Sequence, residues 1–311
     1  MARWSFEPAE FIPFRDRRVI ERVRRIKRED IARHPNRDFR ITVVPDAEVE
    51  FLWLTDMFRR IKNASYEGRT LVMILPNPWP AGYRRLAQMI NTCRVDCRRL
   101  HTFNMDEYAN QDGRIAPESW PFGFMHSFKK SFYANLDVKL RPPEKQIQGP
   151  TDRNIRDYGR MIADLGGADI CYSGPGWTGH LAFIEPDAPE FAGTLSQWKK
   201  MGPRVCRLSP FTIAQNSLHG SFGMSGDLSA VPPKAATIGP AEVIAAKHRI
   251  DMHSITVGGS FVSWQRFVTR LILHGPVTPR IPESILQTLR TDVWVSESSA
   301  ADIEPHCDKG Y

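Results

Sequence analysis

The spacing of apolar positions along the chain changes between two periods from Phe39 onward. Arg40–Val44 (RITVV) reads as a strand, and Ala47–Ala64 follows with Val49, Leu54, Phe58 and Ile61 on one helical face. Thr70–Leu75 (TLVMIL) is an almost unbroken apolar run, as expected of a strand covered on both faces. A Pro-rich turn leads to a helix over Tyr83–Ile90, and Arg98–Asn104 gives a third strand. Glu118–Leu136 predicts a long helix interrupted near Pro121, and Arg153–Leu165 a helix running into the strand Ala168–Ser173. Later come a strand at Ser254–Gly258, a helix from Ser260 to about Leu273 and a last strand at Asp292–Val295. Strands alternating with helices predict an α/β fold, a mainly parallel sheet with helices on both faces. Such a sheet places its ligands beyond the carboxyl ends of the strands. The pattern divides the chain into a basic helical extension (1–40), a single α/β domain (41–298) and a short tail (299–311).

Charge alters this picture at one end only. The 311 residues carry a net +7, yet residues 1–40 hold 12 Lys+Arg against 7 Asp+Glu, so five of the seven net charges lie there. They concentrate in Arg15–Arg28 (RDRRVIERVRRIKR), where Val19, Ile20, Val23 and Ile26 recur at helical spacing. An amphipathic helix docked on the body, or on a second subunit, is the preferred reading. An RNA-binding or membrane-surface arm and a mitochondrial presequence are the sharper alternatives, and Asp16, Glu21, Glu29 and Asp30 weigh against all three. With 41% hydrophobic and 25% charged residues, the composition excludes disordered, collagen-like and coiled-coil classes. No apolar stretch reaches the roughly 18–20 residues that span a bilayer, and Met1–Phe14 lacks the pattern of a secretory signal. A cytoplasmic protein with no membrane or nucleic-acid partner is therefore expected. Five scattered cysteines (Cys93, Cys97, Cys171, Cys206, Cys307) fit reduced thiols.

Two strand ends carry candidate chemistry. The third strand runs into Thr102-Phe103-Asn104-Met105-Asp106-Glu107-Tyr108, which puts adjacent carboxylates at the rim of the sheet. The fourth runs into Ser173-Gly174-Pro175-Gly176-Trp177-Thr178-Gly179-His180, followed by Leu181-Ala182-Phe183-Ile184-Glu185-Pro186. Glycines let backbone N–H groups come close to a ligand, and a histidine five residues before a glutamate suits a base with its orienting partner. Each segment alone is a modest signal. Asp-Glu pairs occur in ordinary surface loops, and a turn histidine bonded to backbone accounts equally well for His180.

Taken together, TFNMDEY and GHLAFIEP, about 75 residues apart, resemble the glucosamine-6-phosphate deaminase family, with further likeness at Leu71–Pro76, around Tyr83, at Pro232–Val243 (PPKAATIGPAEV) and at Val257–Ser260. The related 6-phosphogluconolactonases share the glycine-histidine turn, but no glutamate stands in their pattern where Glu185 does. The resemblance implies a Rossmann-like fold of the deaminase/6-phosphogluconolactonase type and a homo-oligomer. It also implies an activity that needs no metal or organic cofactor: ring opening of an amino sugar, proton transfer from C2 to C1, and release of ammonia to give a ketose. On this resemblance Asp106 is the carboxylate that moves the proton, His180 opens the ring and Glu185 orients it. Glu107 and Tyr108 support the site, while Gly174, Gly176, Thr178 and Asn77 lie among the substrate contacts.

The departures from the family pattern matter as much. Thr178 stands where family members have an aspartate, so the acid-base triad is incomplete, which implies a lower rate rather than no activity. The family's glycine-rich phosphate loop is replaced by Leu75-Pro76-Asn77-Pro78-Trp79-Pro80-Ala81, whose prolines remove backbone donors. A family arginine appears as Ile213 and a family lysine as Val262. Either Arg84, Lys199, Lys200 or Arg204 replaces these cations, or the substrate differs at C6. In the second case Trp79, Phe261 and Trp264 would form a wall for an unphosphorylated sugar. The first expectation is thus an amino-sugar isomerase/deaminase; a non-catalytic sugar sensor and a sugar lactonase are the alternatives. Among the remaining features, Cys93 and Cys97 make an improbable zinc site. His248 and His253 flank Asp251 in what reads as a polar surface connection, Pro232-Pro233-Lys234 reads as a turn, and Phe122, Phe124, Phe128 and Phe132 read as core.

Overall fold

The computed structural model describes residues 6–254 and 264–305. The strands are β1 (Phe39–Val44), β2 (Leu71–Leu75), β3 (Leu100–Asn104), β4 (Asp106–Ala109), β5 (Ile147–Gln148), β6 (Ile170–Ser173), β7 (Arg204–Arg207), β8 (Lys234–Thr237), β9 (Arg249–His253) and β10 (Thr291–Ser296). The helices are α1 (Arg17–Arg24), α2 (Asp46–Tyr66), α3 (Pro80–Thr92), α4 (Phe124–Ser131), α5 (Tyr158–Ala163), α6 (Leu195–Trp198), α7 (Pro210–Asn216), α8 (Pro240–Ala245), α9 (Gln265–His274) and α10 (Glu297–Ala300). Seven strands form one parallel sheet in the order β1-β10-β9-β6-β2-β3-β5. From β2 the chain steps outward through β3 to β5, then returns to the other side of β2 at β6. The carboxyl ends of β2 and β6 therefore flank the point where the winding reverses, the usual position of a ligand crevice.

Strand β2 shows why both faces are covered. All five of its residues are buried. Leu71, Met73 and Leu75 face a cluster built from Trp53, Met57 and Ile61 of α2, Tyr83, Leu86 and Ile90 of α3, and Phe128 of α4. Val72 and Ile74 face the opposite cluster with Tyr158 and Ile162 of α5 and Val268 and Ile272 of α9. The period-2 alternation of a strand thus feeds two helical layers.

A second, antiparallel sheet, β4-β8-β7, was not foreseen in the sequence. The single residue Met105 separates β3 of the large sheet from β4 of the small one. The N–H of Met105 donates to Leu75 O and its carbonyl accepts from Ile238 N. Asp106 and Glu107 accordingly lie on a strand, not in a rim loop, and Lys234 belongs to β8 rather than to a turn. The expected long helix over Glu118–Leu136 is confined to Phe124–Ser131, because the stretch through Pro121 is spent in turns. Of its aromatic stripe, Phe124, Phe128 and Phe132 are buried and Phe122 is exposed.

The largest correction concerns β9. RIDMH reads as polar, yet it is a central strand in which Asp251 and His253 are fully buried. His253 Nε2 lies 2.8 Å from Asp251 Oδ2, His253 Nδ1 lies 2.9 Å from Thr269 Oγ1, and Ser173 Oγ donates to Asp251 Oδ1 at 2.8 Å. Burial alone would raise the Asp251 pKa, but the contact with His253 holds it below the ordinary value. His248 is also buried, between Arg60 and Asp292. The strand expected at Ser254–Gly258 falls largely outside the described residues, as do Val257–Ser260, Phe261, Val262 and Cys307.

The basic extension folds onto the body. Helix α1 is capped by Asp16, whose side chain accepts from Val19 N, and packs against α9 with Val23 fully buried. Arg270 of α9, fully buried, donates to Ile26 O at 2.8 Å and to Ala300 O at 2.8 Å. Arg28 and Lys27 pair with Glu297 and Asp302. Among the described residues no helix is long and apolar enough to cross a membrane.

Candidate active site

A cavity of about 250 Å³ opens at the carboxyl ends of β2, β3, β6 and β9, and both Asp106 and His180 line it. They reach it from different sheets: Asp106 opens β4, whereas His180 hangs from the turn after β6. That turn is shaped by its glycines. Gly179 takes φ +74°, a conformation that favours glycine, and a side chain on Gly176 would collide with the Nε2 edge of the imidazole. At Gly174, which lines the cavity, an added Cβ would sit 2.8 Å from Met252 O of β9.

The other ring nitrogen of His180 is held by two hydroxyls and a carboxylate. Thr178 Oγ1 and Thr212 Oγ1 each lie 3.0 Å from Nδ1, and Glu185 Oε2 lies 3.4 Å away. Thr178 donates its only hydroxyl proton to Glu185 Oε2 at 3.1 Å, so toward His180 it can act only as acceptor. In the tautomer whose Nδ1–H donates to Thr178, the Nε2 lone pair is left open, and a chain of Nδ1–H to hydroxyl to carboxylate stands where an aspartate would bond the ring directly. Glu185 is nearly fully buried and also accepts from Ser209 N at 3.2 Å. Thr178, expected among substrate contacts, is not among the lining residues, and its hydroxyl lies against His180 and Glu185. Thr212 was missed because nothing in its local sequence marks it.

Asp106 is almost wholly removed from water, and burial, reinforced by the neighbouring Glu107 carboxylate, pushes its pKa well above the ordinary range. A carboxyl tuned upward in this way exchanges protons near neutral pH more readily than an exposed one. Glu107 faces away from the cavity. Its carboxylate accepts from Tyr108 N at 2.9 Å, Phe124 N at 3.0 Å and Met125 N at 2.8 Å, capping the start of α4. Burial raises its pKa, and the three N–H donors oppose that rise.

Asn77 lines the cavity beside β2, in a cis Asn77–Pro78 linkage, and neither of its side-chain polar atoms has a protein partner. Trp79 lines it too, with its indole folded over Gly82 of α3 and its Nε1 donating to Glu50 Oε1 at 3.2 Å. Gln215 and Asn216, at the end of α7, and His219, just beyond it, line the cavity as well and were not foreseen as contacts. Ile213 packs against the core, and Trp264 meets Trp177 edge-on at 5.3 Å. Cys97 is buried and Cys93 exposed, both beyond the end of α3. Among the described residues no three His, Cys, Asp or Glu side chains are grouped so as to hold a metal ion.

No family model matches the chain. Among curated proteins, the glucosamine-6-phosphate deaminase of Caenorhabditis elegans is 32% identical over 195 residues, covering 60% of this chain and 65% of the nematode protein. The protein of that name from Halothermothrix orenii is 27% identical over 225 residues, covering 71% and 82%. The chain therefore spans just under two thirds of the first relative and about four fifths of the second. A solved structure described as a monomeric glucosamine-6-phosphate deaminase matches with a TM-score of 0.67 at 20% identity, over 84% of this chain and 98% of that one. The 6-phosphogluconolactonase of Leishmania guyanensis matches with 0.58 at 13%, over 85% and 98%. At these identities the solved structures establish the fold, an α/β fold shared by sugar-phosphate deaminases and lactonases. By sequence, the chain is similar to proteins named glucosamine-6-phosphate deaminase.

Proposed function

We propose that the protein is an amino-sugar isomerase and deaminase. His180, through its free Nε2, takes the proton of the anomeric hydroxyl and returns one to the ring oxygen, opening the sugar to its aldehyde. As a proton passes from the 2-ammonium to the carbonyl oxygen, Asp106, in its ionised form, removes the proton from C2 to give an enolamine and then delivers it to C1. That leaves a hydroxymethyl at C1 and an iminium at C2. Addition of water at C2 then expels ammonia and leaves the ketone. A single carboxyl serves both carbons because the two positions are adjacent on one face of the intermediate. Glu185 and Thr178 hold the histidine in place.

The observation that carries this reading is the convergence of Asp106 and His180 on one cavity. Incubation with 2-amino-2-deoxy sugars, free and 6-phosphorylated, should yield ammonia and ketose in equal amounts, and Asp106→Asn should abolish both. Ammonia release undiminished in Asp106→Asn, or absent with every sugar, would overturn it. Lactone hydrolysis, the chemistry named for several structural neighbours, needs the histidine but not the acid; a variant lacking Asp106 that still hydrolyses a sugar δ-lactone would favour that second reading.

A further inference from the structure

The cavity has no permanent positive charge among its described residues. Its ionisable lining groups are Asp106, His180 and His219. Burial lowers the His219 pKa to about 4, so this imidazole is neutral at physiological pH. Cations that stand near cavity elements in the chain do not line the cavity. Arg84 is exposed on α3, Arg85 reaches Glu50 at 3.5 Å, and Arg204 donates to Gly202 O and Glu190 O while lying over Phe191. Residues 255–263 (ITVGGSFVS), outside the described residues, contain no Lys, Arg or His.

Backbone donors do not fill the gap. The first turn of α3, next to Asn77, begins with Pro80, which has no N–H, and the Trp79 indole lies over Gly82. An anion placed there would meet apolar surface where it needs oriented N–H groups. A dianion buried in such a cavity would keep little to offset its lost hydration, and an ionised Asp106 would repel it.

What the cavity does offer is neutral and unpartnered. Both side-chain atoms of Asn77, the Nδ2 of Asn216 and the Nδ1 of His219 are buried with no protein partner, and Asn216 is only 1% exposed. Buried polar groups left open in this way require a ligand or water to complete them. A hydroxyl suits them, since it donates to an amide oxygen and accepts from an amide N–H. We propose that Asn77, Asn216 and His219 form a subsite for an uncharged hydroxyl end of the sugar, so that the preferred substrate is a free 2-amino-2-deoxyhexose rather than its 6-phosphate.

This rests on the activity proposed above, and the test separates the two. Ammonia release is compared for glucosamine, galactosamine and mannosamine and for their 6-phosphates, and calorimetry measures binding of each sugar and of inorganic phosphate to the unaltered protein. The expected result is a kcat/KM at least about tenfold higher for a free sugar, as for a site whose polar groups match a substrate hydroxyl, with no competition from inorganic phosphate. Asn77→Ala and Asn216→Ala should each raise KM for the free sugar, and Asn216→Lys should shift preference toward the phosphorylated one. Preference for a 6-phosphate, or displacement of the sugar by inorganic phosphate, would overturn the inference while leaving the deaminase reading intact. Tighter binding of the free sugar without ammonia release would support the subsite and defeat the deaminase reading. Binding of neither sugar would overturn the subsite.

Discussion

At the scale of single residues, the hydroxyl between His180 and Glu185 decides how well the histidine is held. Thr178→Val keeps the shape of the side chain but removes both the acceptor for Nδ1–H and the donor to Glu185. A positioned acid-base group supplies about 10²–10⁴-fold, so kcat should drop by part of that factor, with a lower thermal midpoint because buried groups of Glu185 and His180 lose a partner; Thr178→Ser should retain most of both. Asp106 gives a second pair of predictions. Burial and Glu107 both favour its protonated form, so Glu107→Gln removes one of the two causes and should move the acidic limb of the kcat/KM profile to lower pH, read from ammonia release across pH. The raised pKa also bears on stability. The folded protein binds this proton more tightly than the unfolded chain does, so the stabilisation is complete below the ordinary aspartate value of about 3.9 and is lost as pH rises through the higher folded value. Asp106→Asn does not titrate there. Its thermal midpoint should exceed that of the unaltered protein by a margin that widens with pH, measured by thermal denaturation in acidic and in mildly alkaline buffers.

At the scale of elements, legibility followed burial. Strands β2 and β3 and helices α2 and α3 were readable because they bury a regular apolar face. Strand β9 was not, because it carries Asp251 at its centre and His253 at its end, polar residues that bond each other inside the sheet. Strands β4, β7 and β8 are four residues each and draw their pairing from distant segments, which local pattern cannot reveal. In the site, Asp106, His180 and Glu185 were found through motif resemblance, whereas Thr212 and His219 arrive by the packing of α7 and left no local mark. Helix α3 supplies a further test. Replacing an interior helical glycine by alanine ordinarily gains about 1 kcal/mol, but at Gly82 the new methyl would strike the Trp79 indole. Gly82→Ala should therefore lower the thermal midpoint and alter tryptophan fluorescence.

At the scale of the whole molecule, the two ends of the described chain are fastened to one helix. Arg270 of α9 holds carbonyls from the segment after α1 and from α10, and Arg270→Ala strands buried acceptors at a cost on the order of 1–3 kcal/mol each. The variant should unfold at lower denaturant and be cut sooner by trypsin within Arg15–Arg28. A different architectural fact bears on the chemistry itself. Acid and base ride on separate plates, joined in the chain by Met105 and seamed by contacts such as Ile238 N to Met105 O and Phe183 N to Thr237 Oγ1. Any sliding along that seam would change the gap a proton must cross, so mutations far from the cavity that loosen the small sheet should slow turnover before they weaken sugar binding.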